Sequence, residues 1–263
     1  MKQELLDILK NRRLILPKKE IHVLVAICVH RNVDVEAWEC LMFLSRCLEP
    51  KMHVRFQYGD ALIDRSRGIV ASRFLEHPEY DVLLFLDDDI IYDPRKIVTM
   101  IQTMLENDLD ICGAPYVKKQ KEGTNFAIKL EEGQLVKFGK DGMIHQAKMI
   151  STGCMAIQKR VFKEMVDKEI VHFCNGGKFK FYPFFKPEEK FVDGQWNYLS
   201  EDWAFCHRAK ELGFKVWVDM SQKLGHAGRY VYDWDDMLRR KVEHIESGKY
   251  WEKDWQSDFL KEE

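Results

Sequence analysis

Two hydrophobic rhythms alternate along the first half of the chain. IHVLVAICV (21–29) is almost continuously apolar, the pattern of a strand buried on both faces. VEAWECLMFLSRCL (35–48) repeats its apolar positions at helical spacing. MHVRFQY (52–58) predicts a second strand, and ALIDRSRGIVASRFLEH (61–77) a helix that ends before Pro78. VLLFLD supplies a third strand. PRKIVTMIQTMLEND (94–108) predicts a helix with Pro94 in its first turn and Asp93 as its cap. DICGAPY (110–116) reads as another strand. Strand–helix alternation with short loops predicts an α/β fold whose mostly parallel sheet is flanked by helices.

The second half is less regular. FAIKLEEGQLVKF (126–138) predicts a hairpin around Glu132-Gly133. MISTGCMAIQ (149–158) reads as one strand and KRVFKEMVD (159–167) as a short helix. FCNGGKFKFYPFFKPEEKFVDGQW reads as a loop-rich aromatic region. SEDWAFCHRAKELGF (200–214) predicts a helix with Ser200 as N-cap and Gly213 at its C-terminal end. KVWVD (215–219) returns as a strand, and the last 35 residues read as helices that wrap back onto the core. At the other end, MKQELLDILKNRRLILPKK places Leu5, Ile8, Leu9 and Leu14 on one face of an amphipathic helix. Packing on its own domain is the favoured reading; attachment to a membrane surface is the alternative.

Composition narrows the classes. The 263 residues are 46% hydrophobic and 32% charged, ordinary for a globular chain able to bury a sizeable core. A formal net charge of -2 gives no bulk electrostatic case for nucleic-acid binding. No apolar run approaches the roughly 20 residues of a transmembrane helix, and the N-terminus is too charged for a secretory signal. The seven cysteines include no CxxC pair, so they read as reduced core residues of a cytoplasmic protein.

DVLLFLDDDIIYDP (81–94) carries the main chemical signal: a buried strand ends in Asp87, Asp88 and Asp89. Three like charges repel, and none can be buried unpaired cheaply. Parallel α/β sheets bind ligands beyond the carboxyl ends of their strands. Alternation along an extended chain puts Asp87 and Asp89 on one side and Asp88 on the other. Two hard oxygen donors suit Mg2+ or Mn2+ with open positions for phosphates. The plainer reading, strand termination and helix capping, is met by Asp93 alone and leaves the triplet unexplained. His226, between Gly225 and Ala227 in KLGHAGRYVY, is a third candidate ligand, acceptable to Mn2+. Glu201-Asp202 fit the first helical turn, where carboxylates complement the helix dipole. The functional alternative makes Asp202 a general base for a hydroxyl nucleophile.

The order VAICVHRN, DRSRGIVASRFL, FLDDDI, APYVKK, STGCMAI, SEDWAFCHRAKELGFKVWVD and LGH resembles the nucleotide-sugar glycosyltransferases of the GT-A fold. It is most similar to the inverting family-2-like group and related bacterial, phage and large-virus enzymes, over roughly residues 21 to 230. The resemblance implies a GT-A (Rossmann-like) sheet with a smaller mixed antiparallel part on the acceptor side. It implies a DxD motif at Asp87 and Asp89, with His226 completing the metal site and Asp88 beside the ribose or the metal's water. Asp202 matches the base of the ED motif. Val29, His30 and Arg31 match the loop that frames the nucleotide base, and Arg67 an arginine facing the nucleotide. Thr152, Gly153, Glu201 and Trp203 fall at the donor-sugar and acceptor pocket. The chain departs from the pattern at Cys28-Val29-His30, where a Pro-Thr or Pro-Ala pair is frequent, and at Gly68, where Asn usually follows the arginine.

The expectation is one domain over 1–263: a nucleotide-binding half (21–116), an acceptor-side half (117–226) and a C-terminal helical extension (227–263). Its partners would be a nucleoside-diphosphate sugar, UDP first, and an acceptor hydroxyl on a glycan, lipid-linked sugar, protein or other molecule. The oligomeric state stays open. Two rivals remain: a nucleotidyltransferase acting on a sugar phosphate, and a non-catalytic sugar-binding protein. VHRNVD after the first strand lacks the glycines of a triphosphate cradle, which weighs against the first.

Overall fold

The computed structural model describes residues 20–47, 49–119, 126–131, 144–192 and 194–228. The expected N-terminal helix and the turn at Glu132-Gly133 lie outside the described residues, as does all but 227–228 of the expected C-terminal extension.

The first half runs β1 (His22–Val29), α1 (Val35–Leu44), β2 (Lys51–Tyr58), α2 (Ile63–Glu76), β3 (Val82–Leu86), the two-residue β4 (Ile90–Ile91), α3 (Pro94–Glu106) and β5 (Ile111–Gly113). Helix starts follow local chemistry. The Asp34 carboxylate accepts from Glu36 N–H to open α1, and Asp93 accepts from Arg95 N–H, with Pro94 next, to open α3. The second half runs β6 (Ile128–Leu130), β7 (Ile144–Ile150), β8 (Cys154–Gln158), α4 (Lys159–Asp167), β9 (Cys174–Asn175), β10 (Lys180–Phe181), β11 (Glu188–Val192), β12 (Gln195–Leu199), α5 (Glu201–Glu211), β13 (Val216–Asp219) and β14 (Gly225–His226). Gly213, at φ 88°, ends α5 in the left-handed region.

Among the described residues the main sheet has eight strands in the order β2-β1-β3-β8-β5-β13-β7-β6. Six run one way; β8 and β7 run against them. The expected single strand over 149–158 is therefore two strands. The chain leaves β7, which lies beside β13, and re-enters at β8 between β3 and β5, breaking at Ser151–Gly153. Cys154 to Ile157 are all buried, so no alternation of polarity marks the break. The aromatic region is also more ordered than expected, with two-stranded ribbons β9–β10 and β11–β12. Phe184 and Phe185 between them are fully buried.

Both faces of the sheet are covered. α2, α4 and α5 pack Phe74, Phe162 and Phe205 on one face, where Phe185 stacks on Phe205 with centroids 4.5 Å apart. α1 and α3 pack Leu41, Leu44, Ile97, Met100, Ile101 and Met104 on the other. Among the described residues no helix is long and apolar enough to cross a membrane.

Candidate active site

β1 continues through α1 to β2 on one side and has β3 on the other, so the carboxyl ends of β1 and β3 open on a topological switch point. A cleft of about 290 Å³ sits there. Cys28 and His30 line it from the end of β1, and Asp60, Ala61 and Ile63 from beyond β2. Ser66 and Arg67 reach it from α2, and Asp87, Asp88 and Asp89 from beyond β3. Tyr116, just past β5, and His226, in β14, close it.

Backbone hydrogen bonds fix the aspartates in place. Asp87 N–H donates to the Gly153 carbonyl at 3.1 Å, Asp34 N–H donates to the Asp88 carbonyl at 2.8 Å, and Ala227 N–H donates to the Asp89 carbonyl at 2.8 Å. The three acids lie past the end of β3, so strand alternation does not govern them and Asp88 lines the same cleft as its neighbours. Burial, with Asp89 and Asp87 beside it, pushes the Asp88 carboxyl up to about 6.

Arg67 is 3% exposed. Its guanidinium donates to Glu201 Oε1 at 2.6 Å and to Asp87 Oδ1 at 2.9 Å. One side chain thus joins the end of β3 to the first turn of α5. The sequence pointed Arg67 at a nucleotide; here two of its nitrogens are committed to carboxylates.

β14 pairs with β4, setting His226 opposite Ile90 and next to Asp89. His226 Nδ1–H donates to the Val117 carbonyl at 2.9 Å, which turns Nε2 toward Asp89. That nitrogen lies 3.5 Å from Asp89 Oδ1. At that distance a shared proton or a cation joins the ring nitrogen to the carboxylate. The other Asp89 oxygen is paired with Lys119. Burial pushes the Asp89 carboxyl up, but His226 and Lys119 more than offset it, so it sits below the usual range. The Asp89–His226 pair, its ring fixed by a carbonyl on the far nitrogen, fits a divalent cation. Asp87, turned to Arg67, does not join it: among the described residues no three His, Cys, Asp or Glu side chains converge on one metal position.

Asp202 is buried at the start of α5, where Oδ1 accepts from the Ser200 hydroxyl and from Trp203 N–H. Ser200 stands at the N-cap but spends its hydroxyl on Asp202, not on the helix backbone. Glu201, held by Arg67, ties this turn to Asp87. Thr152 is buried, and among the described residues its hydroxyl has no partner. Gly153 lies against Tyr116, where a Cβ would come within 2.5 Å of the ring. Trp203 is half-buried, the Val29 side chain points into the core, and Arg31 is exposed; none of the three lines the cleft. Asp60, Ser66, Tyr116 and Lys119 are the residues that sequence reasoning missed. The basic pair Lys118-Lys119 after APY was the one available signal.

Residues 66–166 match the model of Glycosyl transferase family 2. Among solved structures, A197 from STIV is 16% identical, covering 88% of this chain and 100% of that one, with a TM-score of 0.55. GalNAc-T7 with UDP, GalNAc and Mn2+ is 10% identical over 80% of this chain and 44% of that one, with a TM-score of 0.44, too slight a likeness to argue from. No curated protein matches the sequence. Residues 66–166 thus resemble a glycosyltransferase family-2 segment, and the chain shares the mixed α/β fold of A197 from STIV, consistent with a GT-A fold.

Proposed function

We propose that the chain moves a sugar from a nucleoside-diphosphate sugar, UDP-linked by first choice, to an acceptor hydroxyl, with a divalent metal and with inversion. The observation that carries this reading is the meeting of Asp87–Asp89, Arg67 and His226 in one cleft, with Asp202 joined to it through Glu201 and Arg67.

Asp89 and His226 would hold Mn2+ or Mg2+, with Asp88 alongside. Such a cation, when bound, supplies Lewis-acid stabilisation to the diphosphate as it departs. The protein's own groups account for the rest. His30 and the ends of β1 and β2 border the space for the nucleoside, with Val29 and Arg31 contributing through the backbone. Arg67 holds Asp87 and Glu201 in register. The Asp202 carboxylate takes the proton of the acceptor hydroxyl as its oxygen bonds to the anomeric carbon. The bond to the diphosphate breaks on the opposite face, and its electron pair leaves with the phosphate. A positioned base of this kind contributes roughly 10²- to 10⁴-fold. Residues 21–116 would serve the donor and 117–226 the acceptor, with Thr152, Gly153 and Trp203 near the transferred sugar. The seven cysteines are free, which fits a reducing compartment such as the cytoplasm.

The test is a panel of nucleotide sugars incubated with Mn2+, Mg2+ or EDTA. Metal-dependent release of nucleoside diphosphate is the expected result. Pyrophosphate released from a nucleoside triphosphate with a sugar phosphate would replace the proposal with nucleotidyl transfer. Binding with neither product would leave a sugar-binding protein.

A further inference from the structure

The ribbon β11–β12 runs straight into α5 and the Asp202 turn. Its register sets Phe191 opposite Trp196 and Glu189 opposite Tyr198, so these four side chains share one face. The other face is fastened down. Leu199 is buried, Glu188 accepts from Arg208 at 2.9 Å, and Lys190 reaches Glu211 at 3.1 Å. Arg208, itself 2% exposed, also donates to the carbonyls of Phe184 and Lys186. The outer face leaves Phe191, Trp196 and Tyr198 exposed at 61%, 71% and 70%. The Phe191 and Trp196 rings lie 5.4 Å apart. These rings add little to the core, yet they stand on an anchored ribbon whose last residue is three positions before Asp202.

We propose that this outer face is a saccharide-binding platform, so that the acceptor is a glycan chain. The acceptor role rests on the transfer reading above; the platform itself rests on the ribbon. A sugar ring has a face of C–H groups and a rim of hydroxyls. The negative face of an aromatic ring attracts the first. The Trp196 N–H, the Tyr198 hydroxyl and the Glu189 carboxylate serve the second. Trp196 and Tyr198 lie about 7 Å apart along the strand, which offers successive stacking positions to a chain of rings. A lipid surface is a poor match, because among the described residues the one charged group on this face is the Glu189 carboxylate, which repels anionic headgroups. A second copy is a poor match in area. Three aromatic side chains bury roughly 450–750 Å² together, below the ~800 Å² per partner of a standard stable interface.

The experiment titrates the full chain with a panel of soluble hexose oligosaccharides of differing linkage, followed by calorimetry. Wild type, Trp196→Phe and the double variant Trp196→Ala/Tyr198→Ala are compared. At least one saccharide should bind wild type, hold to Trp196→Phe within about threefold, and weaken tenfold or more in the double variant. Thermal midpoints should agree among the three, since the substituted face makes no core contact. If the double variant does not fold, the two single alanine variants carry the comparison. Equal binding by all variants, or no saccharide bound by wild type, overturns the platform. Vesicle binding or dimerisation abolished by the same substitutions would reassign the face to lipid or to a second copy. Donor hydrolysis by wild type is measured separately. Its absence removes the transfer reading and leaves a saccharide result on the ribbon intact.

Discussion

Arg67→Met keeps the aliphatic stem of the side chain and deletes its guanidinium. Asp87 and Glu201 then lose a partner at 2.9 and 2.6 Å. Removing one member of a buried ion pair costs about 3–5 kcal/mol. The Asp87 and Glu201 side chains keep 28% and 21% of their exposure, so water recovers part of that cost and the low end applies, about 3 kcal/mol near pH 8. In a fold of this size each kcal/mol lowers the melting midpoint by roughly 2–4 °C. The variant should therefore melt about 6–12 °C below wild type. The pH dependence has a definite sign. Burial raises the Glu201 carboxyl and Asp202 adds to it, while Arg67 pulls the other way. Without Arg67 the folded-state value rises further above the unfolded one. Such a group favours the folded state when protonated, so the variant's deficit is full at high pH and fades as pH falls through the raised value. Thermal and urea melts of both proteins from pH 5 to 8 measure the gap. Midpoints within 2 °C at pH 8, or a gap that widens toward pH 5, would refute the brace. Arg67→Lys should fall between the two, since an ammonium cannot fork to both carboxylates.

Gly153→Ala drives a methyl group into the Tyr116 ring, which packs edge-on against His226 with centroids 5.0 Å apart. It should cost about 1–3 kcal/mol and weaken Mn2+ binding; an unchanged melt together with unchanged calorimetric metal affinity would contradict this. Asp202→Asn should retain metal-dependent donor binding and lose roughly 10²- to 10⁴-fold in turnover. Asp89→Ala should lose the binding as well, and a Asp202→Asn enzyme with wild-type rate would end the base assignment. The hydrogen bond from Arg65 holds the Asp60 carboxyl below its usual range. That stabilisation, about 0.2–1 kcal/mol for a partly exposed pair, is present above the ordinary Asp value and is lost as pH falls through the folded one. Asp60→Asn should therefore cost more in urea melts at pH 7 than at pH 3.

Much of the first half was legible because local chemistry and global role agree there. Asp93-Pro94 opens α3 as read, and Val82–Leu86, buried throughout, ends at the aspartates. What stayed hidden was pairing at a distance. Nothing near Arg67 in sequence names Glu201, and nothing near Asp89 names Lys119. The break at Ser151–Gly153 was invisible because Met149-Ile150 on one side and Cys154–Ile157 on the other read as one apolar run. The β11–β12 ribbon was missed for the opposite reason: its aromatic residues face water, so the two-residue period that marks a half-buried strand is inverted. At the site, residue type was informative but direction was not. Asp87 turns to a guanidinium and Asp89 to an imidazole, a division set by α2 and β14.

Because β8 is threaded between β3 and β5, the chain does not divide into portable modules at its midpoint. An isolated 20–116 fragment would present β3 and β5 as raw edges with nothing joining them, a template for aggregation. Recombination that exchanged one half for a relative's would meet the same obstacle. The outer face of β11–β12 contributes nothing to that sheet, so its exposed Phe191, Trp196 and Tyr198 are positions that can be exchanged while the scaffold stays whole.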